Sequence, residues 1–260
     1  MGCDTIQVKM PAQLNQIDGI IFPGGESTAM GLIGTHNGIW TELQHTVLKR
    51  KLPTWGTCAG MVLLTERCVG TSAVIENGQS LIGGLDVLVC RNYFGSQVSS
   101  FELPTPAPPL PGDSHSSELG ESYPGVFIRA PAILLAGSGV EVLGKVIAKP
   151  CRQAAATLQD LDKKIALGET VITMSVVDAL HRETGVPRTA EKDVSVSDVQ
   201  PPSKGLSLPG AAEGSDAREV ICVVKKDNIL CTAFHPELTN DRRWHEYFLN
   251  MVRQSLDEGK

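Results

Sequence analysis

LPTWGTCAGMVLLTE, residues 52–66, decides the fold. An apolar strand pattern runs into Gly56-Thr57-Cys58-Ala59-Gly60 and passes without a linker into a helical pattern. This is the form of a nucleophile elbow, in which small flanking residues let a strand turn sharply into a helix and leave the middle side chain exposed. Cysteine stands where many hydrolases carry serine. The helix begins beside the sulfur, so its first N–H groups and its dipole favour a thiolate there. A lone cysteine at a tight turn is ordinarily a small core residue; the two glycines at fixed offsets weigh against that plainer reading.

Outward from this segment, short apolar runs alternate with helical stretches. Gly19–Phe22, Thr54–Gly56, Asp86–Cys90, Val126–Arg129, Val142–Ala148, Val220–Val224 and Ile229–Phe234 read as strands, and Ser27–Leu32, Gly38–Arg50, Ala59–Thr65 and Asp241–Leu256 as helices. Alternation in the first third predicts a parallel sheet, and the closely spaced later strands predict antiparallel additions. Ten of the 16 prolines fall between Pro104 and Pro124 or between Pro187 and Pro209. The expectation is two insertions, a Pro-rich loop over 102–124 and a largely flexible stretch over 152–218, in which Leu158, Leu161 and Ile165 mark a surface helix. Together these make residues 1–260 a single α/β domain with roughly 190 core residues.

The chain is 260 residues long, 42% apolar and carries a net charge of −6. That composition excludes fibrous and wholly disordered classes, and with no run of Lys or Arg it makes nucleic acid a poor partner. No apolar stretch approaches the ~20 residues of a bilayer span, and no signal-peptide pattern opens the chain, so no membrane is expected and the location read is cytoplasmic. Seven scattered cysteines without a C-x-x-C pair argue against a zinc site or a disulfide framework. No metal is expected.

A cysteine nucleophile needs a base, and the base needs an orienter. Of six histidines, five lie in polar contexts, whereas His235 ends the apolar run ILCTAFH. Pro236 stops the strand and Glu237 follows, placing a carboxylate two residues from the imidazole. Cys58, His235 and Glu237 are the candidate catalytic set. Acyl transfer also needs donors for an oxyanion, and Phe22-Pro23-Gly24-Gly25-Glu26-Ser27-Thr28 after the strand GIIF lets glycine N–H groups face a ligand. Glu26 can receive a substrate ammonium; the plainer reading is a strand-to-helix turn capped by Ser27 or Thr28.

GIIFPGGEST, PTWGTCAGM, VCRNYFGSQVSSFE, GVFIRAP and TAFHPELTNDRRWHEYFLNMV together resemble the glutaminase subunits of pyridoxal 5′-phosphate synthase, a branch of the class I, triad-type glutamine amidotransferases. The likeness covers residues 6 to about 150 and 220 to 254. It implies a three-layer α/β fold with an open, mostly parallel sheet. It implies that Cys58 attacks the glutamine carboxamide, that His235 is the base and then the acid, and that Glu237 orients it. The implied glutamine-binding positions are Gly24, Gly25, Glu26, Arg91, Ile128 and Arg129. It implies no cofactor, and as partner a barrel-shaped synthase subunit that takes the ammonia into vitamin B6.

Members of that family begin with a hydrophobic strand, a Leu-Gln-Gly-type turn and a helix, roughly twenty residues ahead of the segment matching Ile6-Gln7-Val8-Lys9. This chain has none of them, so the expected sheet lacks its first strand and helix. Two other readings stay open: a glutaminase serving another synthase, such as that of histidine biosynthesis, and an inactive, truncated interaction protein.

Overall fold

The computed structural model describes residues 1–36, 38–70, 81–95, 100–109, 121–167, 174–175, 208 and 216–259. Strand β1 (Ile20–Phe22) leads into helix α1 (Ser27–His36), followed by α2 (Ile39–Gln44), which continues as a wider turn over His45–Lys49. Strand β2 (Thr54–Thr57) turns directly into α3 (Ala59–Leu64), and β3 (Thr65–Val69) follows without a loop. Next come β4 (Leu85–Cys90), β5 (Phe101–Pro106), β6 (Ser122–Phe127), β7 (Ala132–Ala136) and β8 (Glu141–Ala148). Helix α4 (Arg152–Leu167), β9 (Met174–Ser175), β10 (Arg218–Lys226), β11 (Ile229–Thr232) and α5 (Arg243–Glu258) complete the order.

The main sheet runs β1-β2-β11-β10-β7-β4-β3-β9, with β8 also on β10. Its parallel pairs are β1·β2, β2·β11 and β3·β4. The remaining main-sheet pairs are antiparallel, so the sheet is mixed rather than mostly parallel. For β10 and β11 the cause is connection length: a two-residue turn joins them, and so short a link permits only an antiparallel hairpin. β2 and β11, in the parallel part, are buried along their whole length, as strands covered on both faces must be. β1 is the outer strand on this side, and Ile6–Lys9 forms no strand.

The glycines of the elbow have a packing reason. A β-carbon on Gly60 would drive into the Phe22 backbone carbonyl, and one on Gly56 would stand 2.7 Å from the Gly60 backbone. α3 therefore lies against β1 and β2 at a separation that no side chain allows. α5 closes the other side with Trp244, Phe248 and Met251, spaced four and then three residues apart and all buried. Phe248 reaches Trp55 of β2, with ring centroids 5.6 Å apart.

The two expected insertions differ from the reading in part. Residues 101–106 and 122–127, at the ends of the Pro-rich stretch, form a two-stranded antiparallel ribbon, not loop, with Pro104 opposite Pro124. A two-stranded ribbon accepts proline, since alternate N–H groups point away from the partner strand. Residues 110–120 lie outside the described residues. Within 152–218, α4 buries Leu158 and Leu161, as the periodicity predicts, with Ala154 beside them and Ile165 half-buried. The expected flexibility beyond it lies outside the described residues. Ala148 pairs with Arg218, so the excursion leaves and re-enters on adjacent strands, and its length perturbs the sheet little.

Candidate active site

β1, β2 and β11 run parallel, and the segments just past their C-terminal ends carry Gly24–Glu26, Cys58 and His235. Open α/β sheets collect ligands at such ends because the loops there share one crevice. Cys58 occupies φ 49°, ψ −104°, a conformation that L-residues avoid. Strain of this kind persists only where the surroundings over-determine it. Here the Cys58 N–H bonds Thr232 O at 2.9 Å and the glycine-lined α3 contact holds the far side. The thiol points toward the Ile128 carbonyl, 3.9 Å away.

His235 is fixed from three directions. Its N–H donates to Val126 O at 2.8 Å, its Nδ1 lies 2.8 Å from Glu237 Oε1, and its ring lies over Gly24, which has no side chain to displace it. A carboxylate only accepts, so Nδ1 carries the hydrogen and Nε2 is left for chemistry. Nε2 is buried and has no partner at hydrogen-bonding geometry. Cys58 is nevertheless the neighbour that acts on the imidazole most strongly: the thiol, then Glu237, push its pKa up to about 10 against the opposing effect of burial. Sulfur and nitrogen are thus neighbours without full hydrogen-bond alignment. Burial works to raise the Glu237 carboxyl, but the hydrogen bond and charge of His235 outweigh it and hold the pKa below its usual value.

Arg91 follows β4 and reaches across to the start of α1, donating to Ser27 Oγ and Thr28 Oγ1 at 3.2 Å and lying 3.6 Å from Glu26 Oε1. Glu26 is itself the cap of α1, its Oε2 accepting the Ala29 N–H at 2.7 Å. Ser27 and Thr28, the cap candidates of the plainer reading, instead hold the guanidinium. Burial tends to raise the Glu26 carboxyl, while the bonds from Ala29 and Thr28 and the Arg91 charge more than offset it, so its pKa is lowered. Ile128 and Arg129 fall just past β6, not on it, with Arg129 exposed and at φ 48°. The bend aims the Ile128 carbonyl at Cys58. Hence the structure joins Cys58 with Ile128, His235 with Gly24 and Glu237, and Arg91 with Glu26. Reading the residues one by one missed the backbone partners Val126 and Thr232 and the buried Tyr123 under the His235 turn, none of which has a local signature.

The SNO glutamine amidotransferase family profile matches residues 1–162. The chain belongs to this family. The match takes in Gly24–Glu26, Cys58, Arg91, Ile128 and Arg129; His235 and Glu237 lie beyond it, within the similarity to full-length relatives. The Arabidopsis thaliana protein named "Probable pyridoxal 5'-phosphate synthase subunit PDX2" is 36% identical over 260 residues, 100% of this chain and 80% of the relative. The Carboxydothermus hydrogenoformans protein named "Pyridoxal 5'-phosphate synthase subunit PdxT" is 34% identical over 98% of this chain and 89% of its own. A crystal structure titled as a glutamine amidotransferase superposes with TM-score 0.58 at 27% identity, covering 96% of this chain and 87% of that one. The α/β fold and the amidotransferase class of this SNO chain are those of its relatives. Among the described residues no helix is long and apolar enough to cross a membrane, and no cluster of His, Cys, Asp and Glu could hold a metal ion.

Proposed function

We propose that the whole chain, residues 1–260, is one glutaminase domain that hydrolyses L-glutamine to L-glutamate and ammonia. With the Cys58 proton on His235 Nε2, the sulfur attacks the carboxamide carbon. The oxyanion forms among N–H groups of the Gly24–Gly25 turn, where a preorganised donor contributes about 3 kcal/mol to the barrier. His235 then protonates the leaving nitrogen, and ammonia departs from a γ-glutamyl thioester. Water replaces it, His235 takes a water proton, hydroxide attacks the thioester, and glutamate leaves as the thiol re-forms. Glu237 keeps the imidazole in the tautomer that both halves need.

Arg91 is the clamp for the substrate α-carboxylate and Glu26 the acceptor for its ammonium, with Ile128 and Arg129 closing the pocket beside the sulfur. The ammonia goes to a separate barrel-shaped synthase subunit, in a hetero-oligomer that builds pyridoxal 5′-phosphate from a pentose phosphate and a triose phosphate. The names of the relatives support this partner over the synthase of histidine biosynthesis. The setting is the cytoplasm, in keeping with seven cysteines that are all free thiols.

The observation that carries the reading is the 2.8 Å bond from His235 Nδ1 to Glu237 on one side of an imidazole whose other nitrogen faces a strained cysteine. Its test is glutamate release from glutamine, with the synthase subunit of a relative present. The wild-type chain should turn over and be labelled by a glutamine-analogue electrophile, and Cys58→Ala should do neither. Glutamate release that survives in Cys58→Ala sinks the assignment; failure to complement a vitamin B6 auxotroph would move the partner elsewhere.

A further inference from the structure

Glu237 is the least secured member of the catalytic set. Its side chain is 47% exposed and it sits in a three-residue turn, Pro236–Leu238, so packing does not hold its carboxylate. What aims it at His235 must be the backbone of that turn. The turn is bound from below by one fully buried side chain, Tyr123 of β6, whose hydroxyl lies 3.2 Å from Asp241 O, 3.4 Å from Thr239 Oγ1 and 3.5 Å from Pro236 O. That hydroxyl has one hydrogen to give, within reach of Pro236 O just before Glu237 and of Asp241 O two residues before α5, and so it sits against both ends of the loop.

The far end of the loop is locked to the same strand. Arg243 donates to both carboxylate oxygens of Asp241 and, at 2.5 Å, to Ser122 O beside Tyr123, with its guanidinium carbon 5.9 Å from the centre of the Tyr123 ring. Asp241 in turn accepts the Arg243 N–H at 3.0 Å and donates its own N–H to Thr239 Oγ1 at 2.9 Å. Buried polar networks of this kind rigidify what they enclose when every member has a partner. Further along β6, Val126 O takes the His235 N–H, so one strand registers both members of the His–Glu pair.

We propose that Tyr123 is a positioning residue for catalysis: through its hydroxyl it holds the Pro236–Leu238 turn so that the Glu237 carboxylate meets His235 Nδ1. The proposal rests on the reading of Cys58, His235 and Glu237 as the glutaminase triad.

The test is Tyr123→Phe, which removes the oxygen and keeps the ring packed on Phe234 and Trp244. With the synthase subunit present, kcat for glutamine should fall about ten-fold with KM within about two-fold, since misplacing a catalytic group costs rate more than binding. In a Glu237→Gln background the same change should cost nothing further, because Tyr123 acts through that carboxylate. The downfield Nδ1 proton resonance of His235 should shift or broaden in Tyr123→Phe. Unchanged kcat, a loss expressed in KM, or a full further loss on top of Glu237→Gln overturns the proposal. Thr239→Val removes another member of the network and should show the same non-additivity, should Tyr123→Phe not fold. Cys58→Ala is run beside them: if it remains active, the triad reading has failed; if it is dead while Tyr123→Phe is normal, only the positioning role has.

Discussion

Gly24 and His235 share one space: a β-carbon on Gly24 would stand 2.8 Å from His235 Nδ1 and nearer still to Cε1. The glycine that follows β1 is therefore required for the imidazole to lie where Cys58 and Glu237 can both use it. Gly24→Ala should push the ring off Glu237. Steady-state kinetics should show kcat lower by about ten- to a hundred-fold, while the thermal midpoint moves little because the site is partly open. Wild-type kcat in this variant would mean that the ring has room to move and that its observed position is not the catalytic one.

The charge state of His235 sets a pH dependence. Its pKa stands near 10, above the 6.5 of an ordinary imidazole, so its contribution to stability is complete below the ordinary value and fades as pH rises toward about 10. Glu237 behaves oppositely: its lowered pKa makes a contribution that is present above the usual carboxylate value and is lost on acidification through the lowered one. The stability gap between wild type and His235→Gln should be widest near pH 6 and shrink steadily in urea titrations taken toward about pH 10. A His235 resonance that titrates close to 6.5 would contradict the pairing.

Arg91 offers a test of substrate recognition. Its guanidinium is braced by Ser27 and Thr28, a planar fork that an ammonium cannot reproduce. Arg91→Lys should raise KM for glutamine about ten-fold or more, the loss expected for one charge-assisted hydrogen bond, with kcat reduced less. A fall in kcat at constant KM would assign Arg91 to the chemistry instead.

Gly60 tests the fold rather than the reaction. A methyl group there meets the Phe22 backbone, which cannot swing aside as a side chain could. Gly60→Ala should cost about 3 kcal/mol in denaturant unfolding, and the elbow should lose its geometry with it. A fully stable variant would show that α3 can withdraw from β1.

The elbow and the His235-Pro236-Glu237 turn were legible because their chemistry is local. Glycine offsets and a strand end can be seen in a handful of residues. The strands β3, β7 and β9 and the ribbon strand β5 carry no such local signal. β3 follows α3 with no turn residues between them, so the helical pattern masks where the strand begins. β5 holds Pro104 and Pro106, which argue against a central strand yet fit a two-stranded ribbon. The cap of α1 was misplaced for a related reason: Ser27 and Thr28 have the right chemistry for capping, but Arg91, 63 residues away from Thr28, claims both hydroxyls.

Sequence alone determined that this chain turns a strand into a helix at a cysteine and that a histidine with a carboxylate two residues later follows another apolar strand. These are properties of adjacent residues, carried by backbone freedom and hydrophobic period. Tertiary structure alone decided that β2 and β11 lie side by side, which brings Cys58 to His235 across 177 residues, and that Tyr123 of the Pro-rich stretch stands beneath the loop that carries Glu237. Sheet order and register belong to contacts between distant segments, and no local pattern encodes which strand will become the neighbour of which.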